Sequence, residues 1–284
     1  MTPTVDDPLP DLIRHLRSPA SDVRCRSARA LGRLGWLARD ALPLLVNALR
    51  DADPPVREAA AQAVGQMGPD ALPHLGAMLT HPDKYVRRNA VWALGKLGPL
   101  AKVALPALCA TLQDADPRTA SGAAQALGNM GPDAGDAVPA LTEAMRGTNI
   151  VLCRLAAKAL SQIGRSALPA LMAHLRHRDP FVRGEAALAL GWMGPVAAAA
   201  VTGLADALKP SRPPAPRPDP APPLDVTTPA PPTADESSRA YAAQALGRIG
   251  PAAAAALPAL TLATQDASEQ VRQSARQAVR LVRG

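Results

Sequence analysis

Aromatic residues are nearly absent: three Trp, two Tyr and one Phe among 284 residues. A core built on stacked rings is therefore excluded, and whatever is buried is packed with Leu, Val and, above all, the 61 alanines. Cysteine is scarce too. Cys25, Cys109 and Cys153 are odd in number and widely spaced, which argues against a disulfide framework or a cysteine zinc site. Residues 1–10 lack a basic stretch followed by an apolar one, so no secretory signal is expected. The longest apolar segments, such as residues 251–263, are short and interrupted by proline, so no membrane span is expected either. These absences lead to the expectation of a soluble cytoplasmic monomer.

Chemistry-bearing motifs are also missing. The sequence holds no phosphate loop, nucleophile elbow or dinucleotide fingerprint. None of the five histidines, His15, His74, His81, His174 and His177, is followed by Glu. His174 and His177 share a helical i, i+3 spacing, but no carboxylate joins them within that turn, so no metal is expected there. Neither catalytic residues nor a cofactor are expected.

What is present is a repeat. Ala30-Leu31-Gly32-Arg33-Leu34-Gly35 recurs as variants ending at Gly68, Gly98, Gly131, Gly164, Gly194 and Gly250. Successive intervals from Gly35 to Gly194 are 33, 30, 33, 33 and 30 residues. A Leu-Pro or Val-Pro pair precedes a Val-Arg position by 13 residues in every unit but the seventh, and the closing position follows 12 later. Leucines at two and six residues beyond the proline form a helical stripe. Proline there sits in a first turn, where its missing N–H is not used. The second helix opens on Asp53-Pro54, Asp116-Pro117 or Asp179-Pro180, an N-cap acceptor followed by a first-turn proline, with Asp83, Asn149 and Asp235 in the same place. Each unit thus reads as two antiparallel helices, near 9–17 and 21–34 in the first. Such a pair cannot bury its apolar faces alone, so eight pairs must stack.

This pattern resembles the HEAT-repeat family, and the Ala-Leu-Gly-x-Leu-Gly units with Asp-Pro-x-Val-Arg turns look most like its phycobilisome-lyase type. The resemblance implies an all-α fold, a right-handed α-solenoid of eight helix pairs running through residues 1–284 as one domain. It also implies that second helices line the concave surface. The Arg after the valine (Arg24, Arg57, Arg87, Arg183, Arg239, Arg272) is read as a ladder pairing with turn aspartates.

The seventh unit carries 23 extra residues between its helices. The stretch 210–232 contains 11 prolines, a composition that cannot make a core and favours extended chain. Residues 210–236 are expected to be a poorly ordered spacer.

Net charge is +7 with a pI near 9.9, and its placement points to a site. Offsets 2, 3, 6 and 10 from the valine share a helix face opposite the apolar one. That stripe holds Arg26, Arg29, Arg33, Arg88, Lys96, Arg154, Lys158 and Arg248, against only Glu58 and Glu185. It also holds Trp92, Trp192, Tyr241 and Gln162. A protein poor in rings that aims several of them at one basic face has the composition of an interface. The expected function is a non-enzymatic scaffold binding an acidic protein segment on a basic concave face. Nucleic acid in the same groove is the alternative, and a bilin lyase-like activity, implied only by the resemblance, is a second.

Overall fold

The structure, a computed structural model, describes residues 8–210 and 233–284. Sixteen α-helices and no strand occur among the described residues. The chain divides into two compact units, Met1–Ile163 and Gly164–Gly284.

In the first unit, the first helices are α1 (Leu9–His15), α3 (Leu42–Ala48), α5 (Leu72–Met78), α7 (Leu105–Thr111) and α9 (Val138–Met145). Their partners are α2 (Ser21–Leu34), α4 (Pro54–Gln66), α6 (Lys84–Leu97), α8 (Pro117–Asn129) and α10 (Ile150–Ile163). In the second unit α11 (Leu168–His174), α13 (Val201–Ala207) and α15 (Leu257–Ala263) pair with α12 (Pro180–Met193), α14 (Ala234–Ile249) and α16 (Glu269–Arg283). Second helices stack in a row, α2 to α10 in one unit and α12 to α16 in the other. That is an α-solenoid, with a ribbon of core between the two helix layers.

The closing glycine of each repeat ends a second helix at positive φ, from +54° at Gly98 to +82° at Gly68. Only glycine takes this conformation freely, and a short 3-10 turn then leads into the next first helix. The inner glycine of Ala-Leu-Gly has a different duty. A Cβ on Gly128 would lie 3.0 Å from Ala159 Cα, and one on Gly191 the same distance from Ala245 Cα. The second helices thus approach closely enough to exclude any side chain at these points.

Arginines tie the turns together. Arg24 donates to the carbonyls of Ser18 and Pro19 in its own unit and to Asp51 and Asp53 in the next. Arg87 repeats this with His81, Pro82 and Asp114, and Arg239 pairs with Asp266 and Asp235. The aspartate also accepts the backbone N–H two residues on, as Asp114 does from Asp116. His81 and His177 occupy that same turn position and accept the same bond through Nδ1. With His81 standing where Arg24 and Arg87 find Asp51 and Asp114, Arg57 instead lies over the Tyr85 ring at 5.1 Å.

Three expectations need correction. Lys84–Thr111, Pro180–Ala207 and Ala234–Ala263 are long and apolar enough to cross a membrane. Each is a second helix, a 3-10 turn opened by a positive-φ glycine, and the following first helix. Their prolines sit at first turns, where they interrupt no helix, which is why the sequence made these stretches look shorter. The cap of α14 is Thr233, not Asp235: Thr233 and Glu236 form a reciprocal capping box, and Asp235 turns its carboxylate to Arg183 and Arg239. Residues 234–236 are therefore helical, so the spacer interval ends earlier than 236, and its part at 211–232 lies outside the described residues.

Asp116 provides a test of the ladder chemistry. It caps α8 through Thr119 and accepts two bonds from Arg88 at 2.9 and 3.0 Å. Burial alone raises a carboxyl pKa, but these hydrogen bonds outweigh it and hold Asp116 at about 2, against an ordinary 3.8. A depressed carboxyl stabilises the fold above its unfolded pKa and loses that contribution as pH falls through its folded one. Asp116→Asn is thus expected to lose about 2 kcal/mol at pH 7, with the difference shrinking between about pH 4 and pH 2. Urea denaturation of both proteins at the two ends of that range checks it, and a difference that persists at pH 2 contradicts it.

Candidate interaction face

Trp92 is the centre of the site. It is the offset-6 residue of α6, on the side turned away from the first helices, and its side chain is 43% exposed. One cleft, of about 350 Å³, opens between α4 and α6 with Arg29, Glu58, Gln62 and Asn89 around it. A second, of about 230 Å³, opens between α6 and α8 with Lys96, Arg118, Gln125 and Asn129. Trp92 and Arg88 border both, so the indole is a ridge between two depressions. Gly122 forms part of the wall of the second, where a Cβ on it would crowd Val91 Cγ1 at 3.1 Å.

The charges around the ridge differ from the simple stripe. Arg88 is half-buried and bonded to Asp116, so it is a neutralised strut, not a groove cation. Arg26 is likewise joined to Asp22 one turn earlier. Glu185, taken as an outward acid, is 1% exposed. Arg29, Arg33, Lys96 and Lys158 are exposed, as is Arg154. The Lys96 ammonium sits 5.0 Å from the Trp92 ring centroid, a cation–π contact. Arg118, one residue before the valine-equivalent Thr119, was not selected by the offset rule, yet it borders the second cleft. Tyr85 escaped the rule at the same offset; it is 44% exposed beneath Arg57, Lys84 and Arg88.

Other sequence-selected residues lie elsewhere. Gln162 on α10 is exposed, and its Oε1 lies over Gly128 of the neighbouring second helix α8. Its place is explained by packing between repeats. In the second unit Trp192 is 45% exposed. Tyr241, expected to be exposed, is half-buried because its ring lies over Gly184, 3.2 Å from where a Cβ would be. Arg248 runs its stem over Gly191 and keeps its head exposed beside a small cleft of about 110 Å³ with Gln244 and Ser274. Among the described residues, no group of three His, Cys, Asp or Glu side chains is placed to hold a metal.

Stacked helix pairs with glycine-closed second helices define an α-solenoid of short repeats. The sequence model of HEAT repeats matches residues 9–81, 72–151 and 138–215, well over half of the chain, which therefore belongs to the HEAT-repeat family. No curated protein sequence matches it. Solved structures similar to it include the Escherichia coli protein YibA, at 19% identity and TM-score 0.50, covering 97% of this chain and 93% of that one. The CpcE and CpcF complex of phycocyanin lyase from Nostoc sp. matches at 22% identity and TM-score 0.45, over 99% and 97% of the two chains. Human deoxyhypusine hydroxylase matches at 24% identity and TM-score 0.40, over 97% and 96%.

Proposed function

We propose that this chain is a non-enzymatic interaction scaffold and that the exposed face of α4, α6 and α8 holds an acidic protein segment. The observation that carries this reading is the Trp92 ridge. An exposed indole stands between two clefts, and the cations beside them, Arg29, Lys96 and Arg118, are exposed. Indole and guanidinium groups of this kind are the usual anchors of protein interfaces. Protein is favoured over nucleic acid because Gln62, Asn89, Gln125 and Asn129 interrupt the cations, so there is no continuous track for phosphates.

Trp92→Ala is expected to lower folding stability by no more than about 1 kcal/mol, since core aromatic truncations cost about 3 to 5 kcal/mol, while removing about 2 kcal/mol of partner binding. Fluorescence anisotropy with labelled glutamate-rich peptides and with single-stranded DNA, using the wild type and a Trp92→Ala/Lys96→Ala/Arg118→Ala variant, tests the reading. The peptides should bind and the variant should lose them. Tighter binding to DNA, weakening by about ten-fold or more between 50 and 200 mM salt as the few phosphate contacts of this face are released, would replace this reading with the nucleic-acid one.

A further inference from the structure

The shape of the Trp92 site specifies how its occupant is folded, an inference that rests on the reading of this face as a protein-binding surface. Successive second helices touch at glycine: a Cβ on Gly65 would lie 3.1 Å from Lys96 Cβ, and one on Gly95 3.4 Å from Ala126 Cα. Helices packed this closely have axes about 8–10 Å apart. The clefts on either side of α6 therefore repeat at about that interval. Each, at about 350 and 230 Å³, has room for a side chain but not for a helix, which is about 10–12 Å across.

The spacing and the lining chemistry together select one backbone. In a β-strand, side chains on one face recur every two residues, about 6.7 Å apart, too short to step over the ridge. A polyproline II segment has three residues per turn and rises about 3.1 Å each, so residues i and i+3 share a face about 9.3 Å apart. An α-helix also matches at i and i+7, about 10.5 Å, but its backbone groups are already satisfied. The two clefts carry four amide side chains, which pair readily with exposed peptide groups. Asn129, whose Nδ2 donates to the Gly95 carbonyl at 3.2 Å, keeps its oxygen for another donor. The clefts also differ in charge. Glu58 accompanies Arg29 in the first, whereas Lys96 and Arg118 border the second with no carboxylate on its lining.

We infer that the partner is an extended, polyproline II-like segment that crosses α6 over Trp92, placing a carboxylate in the α6/α8 cleft and, three residues away, a neutral polar side chain in the α4/α6 cleft. Prolines between the two anchors suit it, because they hold this backbone in advance and pack on the indole.

The test uses the full chain and fluorescein-labelled peptides containing Gln-Pro-Pro-Glu in both orders. Comparison probes are the two-residue spacing Gln-Pro-Glu, an alanine-based helix with Gln and Glu seven apart, and a 12-nucleotide oligo-dT. One order of the three-residue spacing should bind at least ten-fold tighter than every comparison probe. Lys96→Glu/Arg118→Glu should lose it by at least ten-fold. Gly122→Val, which adds bulk to the wall of the second cleft beside Val91 and leaves every charge in place, should weaken it comparably, with thermal melts confirming that both variants fold. A helical peptide that binds as well, with the same loss in Trp92→Ala, overturns the extended mode and leaves the scaffold reading intact. Failure of every peptide, or a preference for oligo-dT indifferent to Gly122→Val, overturns both.

Discussion

Arg239→Ala is expected to cost the second unit about 3 to 5 kcal/mol, the usual penalty for removing one partner of a buried ion pair. Arg239 and Asp266 side chains are only 8% and 7% exposed, and Asp235 lies within 3.2 Å of the same guanidinium. Alanine leaves the Asp266 carboxylate buried with only the Ser268 backbone N–H among the described donors. Two other members of the ladder grade the effect. Arg24 pairs with Asp51 at 15% and 11% exposure, so Arg24→Ala should cost somewhat less. Arg272 reaches Glu269, which is 55% exposed, so solvent screens the ion pair there and it should contribute little. Yet Arg272 also donates to the carbonyls of Asp266 and Ala267, as Arg24 does to those of Ser18 and Pro19. Equal losses in Arg24→Ala and Arg272→Ala urea curves would therefore assign the stabilisation to the turn carbonyls, not to the aspartates.

The same ladder shows what could be read from the sequence. Its arginines recur at one repeat offset in six of the eight units, with Ala120 and Cys153 in the other two, and a charge that returns so regularly to one place is a structural charge. Helix order, the first-turn prolines and the closing glycines were legible for the same reason: periodicity averages over eight copies of one local problem. The candidate site is the reverse case, because it depends on what differs between copies. Whether Arg88 is free turns on Asp116, which lies 28 residues away in the next unit. Gln162 is exposed yet lies over Gly128, a residue of the neighbouring second helix, so what it can offer a partner turns on that glycine. Tyr241 is half-buried for the same kind of reason, with Gly184 beneath it. Offsets on a single helix describe a face, but in a solenoid the adjoining repeats decide which part of that face stays open.

This also explains why Arg118 was overlooked. It stands in the first turn of α8, outside the stripe drawn along the middle of the helix, and lines the second cleft one turn before Gly122. A glycine within the outward stripe of a second helix is the signal that would have located the depression. Glycine is a poor helix former, so its presence in mid-helix calls for a packing or binding reason.

Glycines give the second large expected effect, because one in a first helix and one in a second helix should respond with opposite signs. Gly76 lies in α5 with nothing within 4 Å of an added Cβ. There Gly76→Ala simply improves helix propensity and should stabilise the protein by up to about 1 kcal/mol. At Gly191 the nearest atoms are Ala245 Cα at 3.0 Å and its Cβ at 3.2 Å, backbone and near-backbone positions that cannot swing aside. Gly191→Val must push α14 away from α12, opening gaps along a contact lined by buried alanines. Overpacking a tight core costs about 1 to 3 kcal/mol, and the branched side chain places the expected loss at about 3 kcal/mol. Gln62 and Gln125 in the first unit are far from this contact in sequence, and Trp92-dependent peptide binding should survive the change. If Gly191→Val instead melts at the wild-type temperature, the helices have room to separate, and close approach at glycine is not what sets the spacing of the second helices.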